Sequence, residues 1–181
     1  MLIDCSYFLE GPRHIQNATA GDSNPKPQPI LPGTLPMDNS LAVKKTIEAY
    51  IMEFQEEFLK RMLGETIGNK AHTYLVTLEE DERPSRKPSY DDVLEKLKEP
   101  FADYVFFHIL RDANTQSTVT GLVRLKCANE YVAPIRRQVT VWNSMVDRNR
   151  LFASWADSSD CPMRGIVVDS YLLEKINVFN L

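Results

Sequence analysis

The residues best placed to do chemistry are His108 and Asp112, four apart in a helical stretch, a spacing at which a carboxylate can orient an imidazole for general acid–base work. His108 is embedded in Phe106, Phe107 and Ile109, however. That context favours a core or interface histidine with one hydrogen bond. His14 and His72 lie far from it in sequence, and neither falls in an H-E-x-x-H spacing or beside a cysteine, so no zinc set is expected. Cys5, Cys127 and Cys161 are widely separated and odd in number, which argues against a disulfide framework and fits a reducing compartment. Cys127 has only Lys126 and Ala128 beside it, which supply no base to activate a thiolate. No G-x-x-x-x-G-K-[ST], G-x-G-x-x-G or G-x-S-x-G occurs among the seven glycines. Trp142 and Trp155 share one helical stripe and read as core more readily than as a ligand cage. No catalytic, cofactor-binding or metal residues are therefore expected, and no cofactor.

Charge narrows the partners. The 181 residues carry a formal net charge of -4, without the basic footprint of a protein that grips a nucleic-acid backbone. Arg136-Arg137 and the Arg83 to Lys87 group are the local basic clusters; the first reads as the solvated side of a helix, the second as a loop beside Glu79 to Glu82. Hydrophobic content of 43% and charged content of 25% are those of a globular chain, and no run approaches the ~18 uninterrupted apolar residues of a membrane span. The first residues, Met1-Leu2-Ile3-Asp4-Cys5, have neither a basic leader nor a long apolar run, so an intracellular product is expected.

The elements that must hold these residues are helices. From Ser40 to Gly64, Ile47, Ile51, Phe54, Phe58 and Met62 recur at spacings of four and three, flanked by Val43, Tyr50, Leu59 and Leu63. Lys44, Lys45, Glu48, Glu53, Glu56, Glu57, Lys60 and Arg61 fill the opposite face. Asn39 or Ser40 caps the start, and Gly64 supplies the left-handed residue that ends it. A second helix is expected from about Thr66 to Leu78, returning on the first through a very short turn. Ser89 with Asp92 resembles a capping pair opening a third, in which Pro100 either makes a kink or starts a new helix through Phe101 and Tyr104 to Asn114. Val105, Phe106, Phe107, Ile109 and Leu110 make that piece apolar on several sides, so it is central to its domain or faces a partner.

Thr115 to Lys126 reads as an extended loop or short hairpin arm, and a last helix from Tyr131 carries Ile135, Val139, Trp142, Met145 or Val146, Phe152 and Trp155. Ile166 to Val168 and Tyr171 to Ile176 suggest a strand and a brief helix. Six of the eleven prolines precede Met37, which precludes regular helix or central strand from about Asn17 to Asp38. Leu2 to Leu9 has a partial alternation compatible with a short strand. The expected architecture is mainly α: a bundle of four to five helices, with an extended Pro-rich N-terminal arm (1–39), a helical domain (40–160) carrying a short β-like excursion, and a C-terminal tail (161–181) packing on the domain or on a neighbour.

The phrase Ile47-Glu48-Ala49-Tyr50-Ile51, continued by Glu57-Phe58-Leu59-Lys60-Arg61-Met62-Leu63-Gly64, resembles the opening helix of the small head-to-tail connector (adaptor) proteins of tailed phages, including prophage-encoded ones. Pro100-Phe101-Ala102-Asp103-Tyr104 opening a central helix, an arm with Thr120-Gly121-Leu122 and a long last helix with aromatic anchors continue the likeness over roughly Leu41 to Ala156. The resemblance implies a structural subunit without an active site, forming a homo-oligomeric ring of about a dozen copies that joins the capsid portal to tail-completion proteins. Such a protein is made in the cytoplasm of the bacterial host and ends in the virion, binding neither a specific nucleic acid nor a membrane. An intracellular helical adaptor or regulatory protein-binding module without ring assembly is the alternative.

Overall fold

The computed structural model describes residues 1–15, 18, 40–80, 86–113, 115–118, 121–124 and 134–179. Most of the Pro-rich stretch, Arg83 and Cys127 lie outside these residues. The chain is mainly helical, with α1 (Ser40–Leu63), α2 (Glu65–Glu80), α3 (Pro88–Ala113) and α4 (Pro134–Ala156). α3 packs most extensively on α4, α1 on α2, and α1 also on α3. Between α3 and α4, β1 (Thr115–Thr118) pairs antiparallel with β2 (Gly121–Arg124). No helix among the described residues is long and apolar enough to cross a membrane.

α1 follows its amphipathic pattern. Ile47, Ile51, Phe58, Leu59, Met62 and Leu63 are buried, while Phe54 is half-buried. Lys60–Glu56 and Arg61–Glu57 pairs at i, i+4 lace the outer face. Gly64, at φ +81°, is the single residue between α1 and α2, and its conformation lets the chain reverse there. The two helices then approach closely at Gly68, where an added Cβ would lie 2.5 Å from Lys60 Cα and 2.7 Å from Leu59 O.

α3 is one helix with Pro100 inside it, so the described residues form a bundle of four α-helices. Proline removes a backbone donor and crowds the preceding turn, yet Leu97, Phe101, Ala102, Tyr104, Val105 and Phe106 are all buried around it. Packing on several sides outweighs that local cost. The apolar Tyr104 to Leu110 run thus lies within its own domain; Phe107 is buried as well, and Ile109 and Leu110 are half-buried against the core.

The chain ends differ from the sequence expectation. Leu2 to Leu9 forms a 3-10 turn, Cys5–Phe8, opened by Asp4, whose Oδ1 accepts from the Ser6 N–H at 2.8 Å. Leu2, Ile3, Cys5 and Phe8 are buried, and Phe8 packs on Phe106 with ring centroids 6.5 Å apart. Leu2 to Phe8 thereby contributes to the core, and residues 1–15 are folded into two 3-10 turns in place of an extended arm. At the other end residues 166–168 form no strand, and the brief helix is a 3-10 turn, Ser170–Leu173, with Asp169 Oδ1 accepting from the Tyr171 N–H at 3.0 Å.

Gly68→Ala tests the close crossing. Helix propensity favours alanine by about 1 kcal/mol, but the new methyl would overlap backbone, which typically costs about 1–3 kcal/mol or more. The expected outcome is a net loss of stability, read as a lower denaturation midpoint at unchanged slope.

Candidate functional site

Polar side chains on the helices converge on the two non-helical ends of the chain. Gln55, on the buried stripe of α1, accepts from the Leu2 N–H through Oε1 at 2.5 Å. Arg137 on α4 donates from Nη2 to Pro12 O at 3.1 Å, with its guanidinium 5.0 Å from the Phe106 ring centre. The Met1 amine meets Glu79 at the end of α2. Residues 1–15 thus touch all four helices.

Arg13 makes the strongest of these links. Its Nη1 donates to Asp103 Oδ1 at 3.0 Å and to Glu99 O at 3.2 Å, while Nη2 reaches Glu99 Oε2 at 2.5 Å. Arg148 Nη1, held by Ser144 Oγ at 3.0 Å, closes on the other carboxylate oxygen of Asp103. Asp103 is buried, and burial pushes its carboxyl above the ordinary carboxylate value, with Arg148 and Arg13 pulling the other way. One buried carboxylate therefore joins the N-terminal segment, α3 and α4.

The tail is held along α4 in the same manner. Asn149 Nδ2 donates to Leu172 O at 2.9 Å, Arg150 Nε and Nη2 to Leu173 O at 3.0 and 2.7 Å, and Trp142 Nε1 to Glu174 O at 2.9 Å. Asn143 makes a two-way pair with Ile176, donating to its carbonyl at 3.0 Å and accepting from its N–H at 2.9 Å. The Asp169 N–H donates to Arg61 O at 2.7 Å, satisfying a last-turn carbonyl of α1 that has no partner within the helix. Gln138 Nε2 likewise donates to Leu110 O, in the last turn of α3, at 3.0 Å.

His108 and Asp112, whose spacing would allow a pair, are not hydrogen-bonded to one another. Asp112 Oδ2 accepts from the Tyr50 hydroxyl at 3.0 Å, and burial together with that bond raises the Tyr50 phenol to about 12. His108 lies in an aromatic box, stacked on Phe54 at 4.0 Å and edge-on to Tyr104 at 4.6 Å and Phe107 at 5.5 Å. Neither of its ring nitrogens has a hydrogen-bond partner among the described residues, in place of the one bond expected for a core histidine. Burial, and then Arg111, lower it to about 4, so it is neutral at pH 7.

The other sequence candidates are dispersed. His14 Nδ1 lies 2.5 Å from Leu9 O, and His72 is on α2. Cys5 is buried, with its thiol raised to about 11 by burial and then Glu48, which leaves it protonated. Cys161 is buried and donates to Met163 O at 3.2 Å. Trp142 is core, 4.8 Å from Phe107, whereas Trp155 is half-buried with Lys96 Nζ 4.7 Å from its ring centre. No group of three metal-ligating side chains occurs among the described residues.

A recess of about 480 Å³ lies between the N-terminal segment, α2 and α3. Its charges face one another: Arg86 with Asp91 at 3.5 Å, Lys98 with Glu95 at 2.5 Å, and Glu79 with the Met1 amine. A second, of about 520 Å³, runs over α4 at Asn143, Ser144, Asp147, Arg148 and Leu151. There Asp147 pairs with Lys175 at 2.7 Å and Arg148 with Asp103. Ion pairing and backbone clamping are what these arrangements do.

Gln55, Asp103, Gln138 and Asn149 escaped the sequence reading. Three of them carried a usable signal, since Gln55, Gln138 and Asn149 fall on the stripes set by Ile51 and Phe58, or by Trp142, Met145 and Phe152. A polar residue on a buried stripe requires a partner.

Compared with protein-family models, curated proteins and solved structures, the chain matches none.

His108 sets a pH test. Its folded-state value, about 4, lies below the 6.5 of the unfolded chain, so between these values the unfolded state takes up a proton that the folded state refuses. Stability should be level above pH ~6.5, fall as pH drops, and lose about 3 kcal/mol through this group below pH 4. His108→Phe should flatten that part of the pH–stability curve in urea titrations; an unchanged curve would remove the assignment.

Proposed function

We propose that this chain is a structural subunit of a tailed phage or prophage, a head-to-tail connector that forms a homo-oligomeric ring between the capsid portal and the tail-completion proteins, with no active site. The resemblance of Ile47–Ile51 and Glu57–Gly64 to the opening connector helix motivates it, and the distribution of exposed apolar side chains supports it. Of the eight large apolar side chains exposed among the described residues, five, namely Leu151, Val167, Tyr171, Val178 and Phe179, belong to α4 and the tail. Phe179 is 95% and Leu151 72% exposed. Apolar surface concentrated on one part of a chain suits contact with another protein. The acidic balance is tolerable in a ring through which DNA slides.

The alternative, a helical adaptor that does not assemble, makes a different prediction. Light scattering of the purified chain across concentration, followed by electron microscopy, should show annular particles, alone or with the portal protein. Leu151→Glu with Phe179→Glu should raise the assembly midpoint at least tenfold, since each buried apolar side chain contributes roughly 1.5–3 kcal/mol, and leave the helical circular dichroism unchanged. A chain that stays monomeric under both conditions contradicts the proposal.

A further inference from the structure

We infer that the backbone edge at residues 166–168 takes a strand from a second copy of this chain, the β2 strand of its hairpin; this rests on the ring reading above. Residues 163–169 run without helix, turn or bend. Ile166 and Val168 pack against the core while Val167 between them is 67% exposed, the alternation of a strand with one buried face. Yet no strand lies beside it. Among the described residues the N–H and C=O groups of Ile166, Val167 and Val168 make no hydrogen bond. The run is held from its ends, by Cys161 Sγ donating to Met163 O and by the Asp169 N–H donating to Arg61 O. Three β-branched residues in a row with open backbone groups form a template for one more strand.

The same chain carries a strand with the complementary lack. β1 and β2 form a two-stranded sheet that no third strand joins among the described residues, so each has an open outer edge. The main packing of the hairpin within the chain is on the end of α3. A two-stranded hairpin is marginal in water by itself and gains from a further strand. β2 has Leu122 and Val123 at its centre, which suits the Ile166-Val167-Val168 run, whereas β1, Thr115-Gln116-Ser117-Thr118, is polar throughout.

Geometry assigns the two edges to different molecules. α1 and α3 run antiparallel, with Tyr50 bonded to Asp112 near one end of the bundle and Phe58 packed on Phe101 further along. The hairpin begins at Thr115, just beyond Asp112. The 166–168 edge lies at the opposite end, where Val167 Cβ is 3.7 Å from the position a Cβ would take on Gly64. From residue 50 to residue 64, at about 1.5 Å per residue, the two ends are roughly 21 Å apart. A hairpin with four residues to a strand spans roughly 14 Å, which falls short of its own chain's edge. A neighbour placed head to tail brings its edge within reach, and the join continues the exposed Val167 and Tyr171 surface that the ring reading assigns to subunit contact. Donor and acceptor are different surfaces, so each subunit gives one strand and receives one.

Hydrogen–deuterium exchange and paired cysteines test this. The Ile166, Val167 and Val168 amides should exchange at the free-peptide rate in dilute chain and at least tenfold more slowly in assembled particles. Particles in which these three amides stay fast overturn the strand addition and leave the ring standing; a chain that never assembles defeats both. For the donor, chains with Cys127→Ser and Val167→Cys are mixed before assembly with chains that carry Cys127→Ser and, in turn, Gly121→Cys, Leu122→Cys, Val123→Cys or Arg124→Cys, and are then mildly oxidised. One or two of these positions should give disulfide-linked dimers holding one chain of each kind, absent when either chain is oxidised alone. Slowed amides at 166–168 with no such dimer at any position would mean that another strand covers the edge, and would overturn β2 as its occupant.

Discussion

Irregular backbone can enter a helical core only if its N–H and C=O groups find partners, and this requirement organises the molecule. Apolar burial draws Leu2, Ile3, Phe8 and Leu172 inward, at roughly 1.5–3 kcal/mol per side chain. Each backbone group left unpaired there costs about 1–3 kcal/mol, enough to cancel one such gain. The helices meet the demand with side chains placed on otherwise apolar stripes: Gln55 for Leu2, Asn149 for Leu172, and Asn143 for both groups of Ile176. The exchange also runs in reverse, since the tail's Asp169 N–H satisfies a last-turn carbonyl of α1 at Arg61. The helical frame and the chain ends complete one another.

Asp103 and His108 share α3 and show two outcomes of burying a titratable group. Asp103 receives guanidinium groups from Arg13 and Arg148, so its negative charge is compensated on both oxygens. His108 receives aromatic faces and stays neutral. The first ties three elements together, with Arg13 forking between Asp103 and Glu99. The second fills a space at the cost of ring nitrogens without a hydrogen-bond partner among the described residues, offset by its contacts with Phe54, Tyr104 and Phe107.

Much of the frame was legible from periodicity. The Ser40 to Gly64 reading matches α1 because pattern and terminating glycine agree, and the returning second helix matches α2 because its apolar spacing is equally regular. Pro100 left two possibilities open; packing by Phe101, Val105 and Phe106 decides for one continuous helix, and that packing is invisible in a local window. Leu2 to Leu9 was read by alternation, but its buried residues, 2, 3, 5 and 8, follow no strand period. The Asp4 to Ser6 turn that redirects it was the available local clue. Arg13 and Asp103 are 90 residues apart, and no local pattern announces a pair of that kind. The His108–Asp112 spacing, in contrast, suggested a bond that Tyr50 makes with Asp112 instead.

A chain whose ends are structural differs in kind from a four-helix bundle with loose tails, and the two are separable by hydrogen–deuterium exchange at single amides. The N–H groups of Leu2, Asp169 and Ile176 lie outside α1 to α4, yet each is bonded to a group on α1 or α4. Protection of these three amides on the time scale of the Ile51 and Phe58 amides in α1 is the predicted result. Exchange at the rate of free peptide, with α1 still protected, would contradict it.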